Sequence, residues 1–92
     1  MNFINNNRFG ISTNLGNVKQ AVKDVVIANW TLSGSEYSTQ IIHNLGTDNL
    51  IISIYKDNTS MSMNNVEIIN ANTIKIYNYS AINCKVVLIA KE

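Results

Sequence analysis

From residue 27 onward the apolar residues recur with a period of two, broken roughly every ten residues by clusters of Asn, Gly and Ser. Alternation places successive side chains on opposite faces of an extended chain, so this pattern commits most of the sequence to β-strands. Tyr37, Thr39, Ile41 and His43 share one face, with Ser38, Gln40 and Ile42 on the other. Leu50–Tyr55, a shorter strand centred on Val66–Ile69, Thr73–Tyr77 and Cys84–Ala90 continue the series, and Trp30-Thr31-Leu32 opens it. Between them lie Ser33-Gly34-Ser35, Asn44–Asn49, Lys56–Ser60 and Asn70-Ala71-Asn72. About six short strands linked by such turns predict a mainly β chain, a small antiparallel sandwich or barrel. Leu50–Tyr55 and Lys85–Ile89 carry apolar residues on both faces, which predicts strands covered on two sides, the second by a neighbouring subunit.

Ahead of this domain the pattern differs. Residues 1–13 show no sustained period: a run of Asn separates Phe3-Ile4 from Phe9-Gly10-Ile11, as in an extended arm whose isolated apolar residues dock elsewhere. Phe3, Ile4 and Phe9 are the anchor candidates. Over residues 14–28 the spacing becomes helical. Ile11, Leu15, Val18, Val22 and Val25 step by four, three, four and three, the seam of a heptad. Thr13 or Asn14 can cap such a helix, whereas Gly16 weakens it by up to about 1 kcal/mol. So short a helix needs support. Either it lies on its own sheet, or three copies form a parallel stem with those five residues as the trimer interface. The expected organisation is an arm over 1–13, a helix or short coiled-coil stem over 14–28, and a β-domain over 29–92.

Ninety-two residues suffice for one modest core. The polar remainder is dominated by amides and hydroxyls: 16 residues are Asn, and only 14% are charged. Asn suits turns because its side chain bonds nearby backbone and it tolerates positive φ; an AT-rich genome would give the same enrichment. A net charge of +1 with scattered charges offers no basic stripe for nucleic acid or anionic membrane, and no apolar run approaches the length of a membrane span. The start lacks the pattern of a secretory signal, which suggests synthesis in a cytoplasm.

Chemistry-bearing residues are few. The carboxylates Asp24, Glu36, Asp48, Asp57, Glu67 and Glu92 are dispersed, and Gly10, Gly16, Gly34 and Gly46 form no phosphate loop. Cys84 is the sole cysteine, and its alternation with Val86 and Leu88 marks it as a small core residue. No enzyme activity, cofactor or metal is expected. His43 reads as structural, its ring bonding the turn His43-Asn44-Leu45-Gly46; a ring of three His43 side chains on a threefold axis is the competing use. Tyr55, Tyr77 and Tyr79 are the candidate ligand contacts, since aromatic rings beside Asn amides suit sugars. Trp30 is expected to seal the junction of helix and sheet.

Three stretches carry a family resemblance: Trp30-Thr-Leu-Ser-Gly-Ser-Glu-Tyr37, Ile42-His43-Asn44-Leu45-Gly46-Thr47, and Leu50-Ile-Ile-Ser-Ile-Tyr55. Together with Asn72–Ile76 and a final apolar strand, they resemble the small C-terminal β-domain of bacteriophage fibre proteins, over roughly Ala28 to Lys91. The distinctive part is His-Asn-Leu-Gly. The resemblance implies a trimeric module on a virion, at head or tail, that adheres to host-surface carbohydrate. Without a long shaft between arm and domain, it favours a short head fibre or capsid decoration held to a capsid or tail protein by its N-terminus. A purely structural decoration protein and a monomeric carbohydrate-binding module are the alternatives.

Overall fold

A computed structural model describes residues 19–91. The anchor candidates Phe3, Ile4 and Phe9, and the seam residues Ile11, Leu15 and Val18, lie outside the described residues.

The described chain is mainly β, with eight strands: β1 (Gln20–Val25), β2 (Thr31–Ser33), β3 (Glu36–Ile42), β4 (Leu50–Lys56), β5 (Thr59–Met61), β6 (Asn65–Asn70), β7 (Thr73–Asn78) and β8 (Cys84–Ala90). They form two four-stranded sheets, β1-β8-β4-β5 and β2-β3-β7-β6, and every pairing is antiparallel. One core joins them into a sandwich: Val25, Ile54, Cys84, Val86 and Leu88 come from the first sheet, Ile41, Ile74 and Ile76 from the second, with Trp30 and Leu45 at the ends. Ile74, Ile76, Val86 and Leu88 are the largest fully buried side chains. They occupy alternate positions of β7 and β8, one inner strand of each sheet, where the alternation in the sequence is cleanest.

Among the described residues the expected helix and coiled-coil stem are not seen. Within the described part of residues 14–28, Gln20–Val25 is an edge strand and Ile27–Asn29 a single 3-10 turn. Val22 and Val25 show the reason. Three apart, they share a face of a helix but take opposite faces of a strand. Val25 is 4% exposed in the core and Val22 is 53% exposed on the outer face. Of the five seam residues only Val22 and Val25 are described, and there the helical spacing yields to strand pairing. What decides the matter is β8, whose free edge pairs with β1 from Gln20↔Ile89 through Val25↔Cys84.

Two further differences concern the turns. Lys56–Ser60 was expected as loop, yet Asp57 and Asn58 form a two-residue hairpin turn with φ of 52° and 64°, and Thr59–Met61 pairs back on β4. Both central residues lie in the left-handed region, as the twist of a tight hairpin demands. Trp30 seals a different junction from the one expected. It is buried, and its Nε1 donates to the Ile82 carbonyl at 2.8 Å, joining the 3-10 turn to the segment before β8.

Candidate functional site: a groove at Tyr55

At the end of the first sheet, register places Tyr55 on β4 opposite Lys85 on β8, and Lys85 opposite Asp24 on β1. The three therefore form one row on the outer face. Just beyond this row, at the same end of the three strands, come the hairpin residues Asp57 and Asn58 together with Asn83 and Val26. Together they line an open groove of about 680 Å³, with Val87 in its wall.

Its polar groups are partly committed. The Asn83 Oδ1 accepts from the Ile27 N–H at 3.0 Å, which leaves its amide N–H groups as donors. Lys56 Nζ donates to Asp57 Oδ2 at 3.1 Å, an exposed pair that orients the carboxylate more than it stabilises the fold. Lys85 adds a cation and Asp24 a second carboxylate. Tyr55 supplies a partly exposed ring on which a ligand can stack. Cys84 lies in the lining but is buried, and burial pushes its thiol above the ordinary range, away from thiolate.

The other candidate contacts lie elsewhere. Tyr77 alternates with the core residues Ile74 and Ile76, so it sits on the outer face of the second sheet. Its hydroxyl donates to Glu67 Oε1 at 2.6 Å, and Lys75 Nζ stands 5.3 Å from its ring centroid. The hydrogen bond to Glu67 raises the phenol above its usual value, with smaller contributions from burial and nearby carboxylates. Tyr79 is 70% exposed in the loop after β7. Tyr55 and Tyr77 thus occupy opposite faces of the sandwich.

The segment His43-Asn44-Leu45-Gly46 is held from another strand pair. The Asn72 carbonyl accepts from the His43 N–H at 2.8 Å and the Asn44 N–H at 3.3 Å, and the Asn72 Oδ1 accepts from the Gly46 N–H at 2.9 Å. Asn72 is itself placed by its N–H donating to Asn70 Oδ1 at 2.8 Å. His43 is 4% exposed, and its Nδ1 accepts the Leu45 N–H at 3.1 Å. That bond fixes the neutral tautomer with the proton on Nε2, which has no partner among the described residues. A ring turned into the sandwich is poorly placed to meet its copies on a threefold axis. Among the described residues no group of three or more His, Cys, Asp or Glu could hold a metal ion, and no helix is long and apolar enough to cross a membrane.

Desolvation, then the charge of Lys23, lowers the His43 pKa below the ordinary 6.5. The sign follows from linkage. The unfolded chain takes up a proton below about 6.5 while the folded one resists, so stability is complete above that value and declines towards the lower folded pKa. Urea midpoints should therefore fall between about pH 8 and about pH 5.5, and fall less in His43→Gln. Equal declines in the two proteins would rule out this histidine as the source.

Sequence reasoning singled out Tyr55 but missed the rest of its groove. Asp57 and Asn58 carried a turn signal, because Asp and Asn tolerate the left-handed backbone of a tight turn. Asn83, Asp24 and Lys85 carried none, being joined only by pairing of β1, β8 and β4. Asn72 was read as a turn residue, and its reach to Gly46 spans 26 positions. Compared with family models, curated proteins and solved structures, the chain matches none.

Proposed function

We propose that this chain is a displayed adhesion module, a surface fibre or decoration protein of a phage particle, that binds saccharide in the groove at Tyr55. The observation that carries the reading is the composition of that groove: one aromatic ring beside two carboxamides, two carboxylates and a lysine. A sugar presents an apolar C–H face to an aromatic ring and hydroxyls that bond amide and carboxylate groups, so such a lining suits it. The reading is one of binding and not of catalysis. In its support, His43 is enclosed with one ring nitrogen already bonded, and Cys84 is buried with a raised pKa.

Several copies acting together belong to the same proposal, since weak sugar contacts become useful through avidity. A homotrimer attached to a capsid or tail protein through the segment before Lys19 is the arrangement proposed. Its support on the molecule is the outer face of the first sheet. There Val22 and Val87 lie in one register row and Ile89 and Ile51 in the next, with Val22 and Ile51 about half exposed. Self-association removes such a surface from water.

The test is titration with host-surface glycans. Tyr55→Ala should weaken binding by about tenfold or more, the equivalent of one lost stacking contact. Tyr77→Ala, on the opposite face, should not. If the native protein attaches to particles yet binds no glycan, the adhesion reading fails and structural decoration replaces it.

A further inference from the structure

Where the groove meets the end of β1, three side chains of different chemistry stand close together. Val26 has φ of −110° and ψ of 162°, so it continues the extended backbone of β1 by one residue. It therefore shares the outer face with Asp24, while Val25 between them is buried. Val26 is 49% exposed but firmly placed. Its N–H donates to Asn29 Oδ1 at 2.9 Å, and its carbonyl accepts from the Asn29 N–H at 2.9 Å. The Ile27 N–H that follows donates to Asn83 Oδ1 at 3.0 Å, which brings the Asn83 carboxamide against the same wall. With Oδ1 committed, Asn83 Nδ2 is the side left to meet a ligand. The wall thus offers an acceptor in Asp24, an apolar surface in Val26 and a donor in Asn83. Each of these placements is made by bonds or register among the described residues.

Resting on the saccharide reading of the groove, we infer that its ligand class is a neutral oligosaccharide carrying an N-acetylated hexosamine. One ring stacks on Tyr55, and the acetamido group of the next lies on Val26 between Asn83 and Asp24. Three observations carry this. The first is the match of groups. An acetamido substituent has a carbonyl for Asn83 Nδ2, an N–H for the Asp24 carboxylate and a methyl for Val26. A plain hydroxyl leaves Val26 in water. The second is charge. Lys85 stands opposite Asp24 in the register and Lys56 bonds Asp57, so the formal charges cancel and favour a neutral ligand. An ammonium in place of the acetamide would lose the methyl contact and face Lys85. The third is span. Two strand spacings, about 10 Å, separate Tyr55 from Asp24, more than a single sugar ring bridges.

Calorimetric titration of the full-length protein with matched β-linked disaccharides tests this. The probes are the disaccharides of N-acetylglucosamine and N-acetylgalactosamine, those of the parent hexoses, and the deacetylated amines. At least one acetylated disaccharide should bind at least about tenfold more tightly than its parent and its amine, the joint effect of one covered methyl and one hydrogen bond. Val26→Ser, at an exposed position, should narrow that preference to about threefold or less. Asn83→Asp, which keeps the oxygen that holds Ile27 and removes the donor, should narrow it to the same degree. Equal affinity for acetylated and parent sugars overturns the inference and leaves the groove a general saccharide site. A preference that survives both substitutions also overturns it, because the acetamido group then binds elsewhere. Binding of no glycan at all removes this inference together with the saccharide reading beneath it.

Discussion

Trp30→Ala should lower the unfolding free energy by about 3–5 kcal/mol, the usual range for removing a buried tryptophan. Trp30 precedes β2 and closes one end of the core, where its ring packs among the buried residues and its Nε1 donates to the Ile82 carbonyl. Truncation opens a cavity between the sheets and leaves that carbonyl without its partner. A domain of this size holds roughly 5–15 kcal/mol in all, so the loss is a large part of the total. Trp30→Phe separates the two contributions. It keeps most of the apolar ring and loses the donor, and should cost about 1–2 kcal/mol. Urea unfolding followed by far-UV circular dichroism reads both, because the native tryptophan signal is removed by the substitutions themselves. A cost below about 1 kcal/mol for Trp30→Ala would show that the end of the sandwich closes without it.

Gly46→Val should destabilise by about 2–3 kcal/mol, for a different reason. No atom lies within 4 Å of where a β-carbon would sit, so the new side chain meets open space. The strain is in the backbone itself. Gly46 has φ of +71°, where a β-branched residue clashes with its own carbonyl. Relaxing φ would swing the Gly46 N–H away from Asn72 Oδ1 and loosen the loop that leads into β4. Gly46→Asn is the discriminating control. Asn44, Asp57 and Asn58 already hold φ between 52° and 64° in this chain, and Asn at Gly46 should cost well under half as much as Val. Equal costs for Asn and Val would place the constraint in side-chain contacts instead of φ.

Where alternation persisted over five or more residues, the sequence determined both strand and face. Thr73–Tyr77 and Cys84–Ala90 are the clear cases: the alternating Ile74 and Ile76, and Cys84, Val86 and Leu88, all lie in one core. Turn chemistry was equally local, since Ser33-Gly34-Ser35 and the left-handed Gly46 follow from what those residues' own backbones tolerate. Tertiary structure decided what local preference left balanced. Val22 and Val25 share a face only in a helix, yet the free edge of β8 selects the strand, because a helix this short is marginal without support and the pairing satisfies the backbone. β5 is three residues long, too short to express any period, and exists because the Asp57-Asn58 turn folds it onto β4. The groove at Tyr55 belongs to the same class. Asp24, Tyr55 and Lys85 become neighbours only through the register of three strands, and register is fixed by which faces the whole sandwich buries.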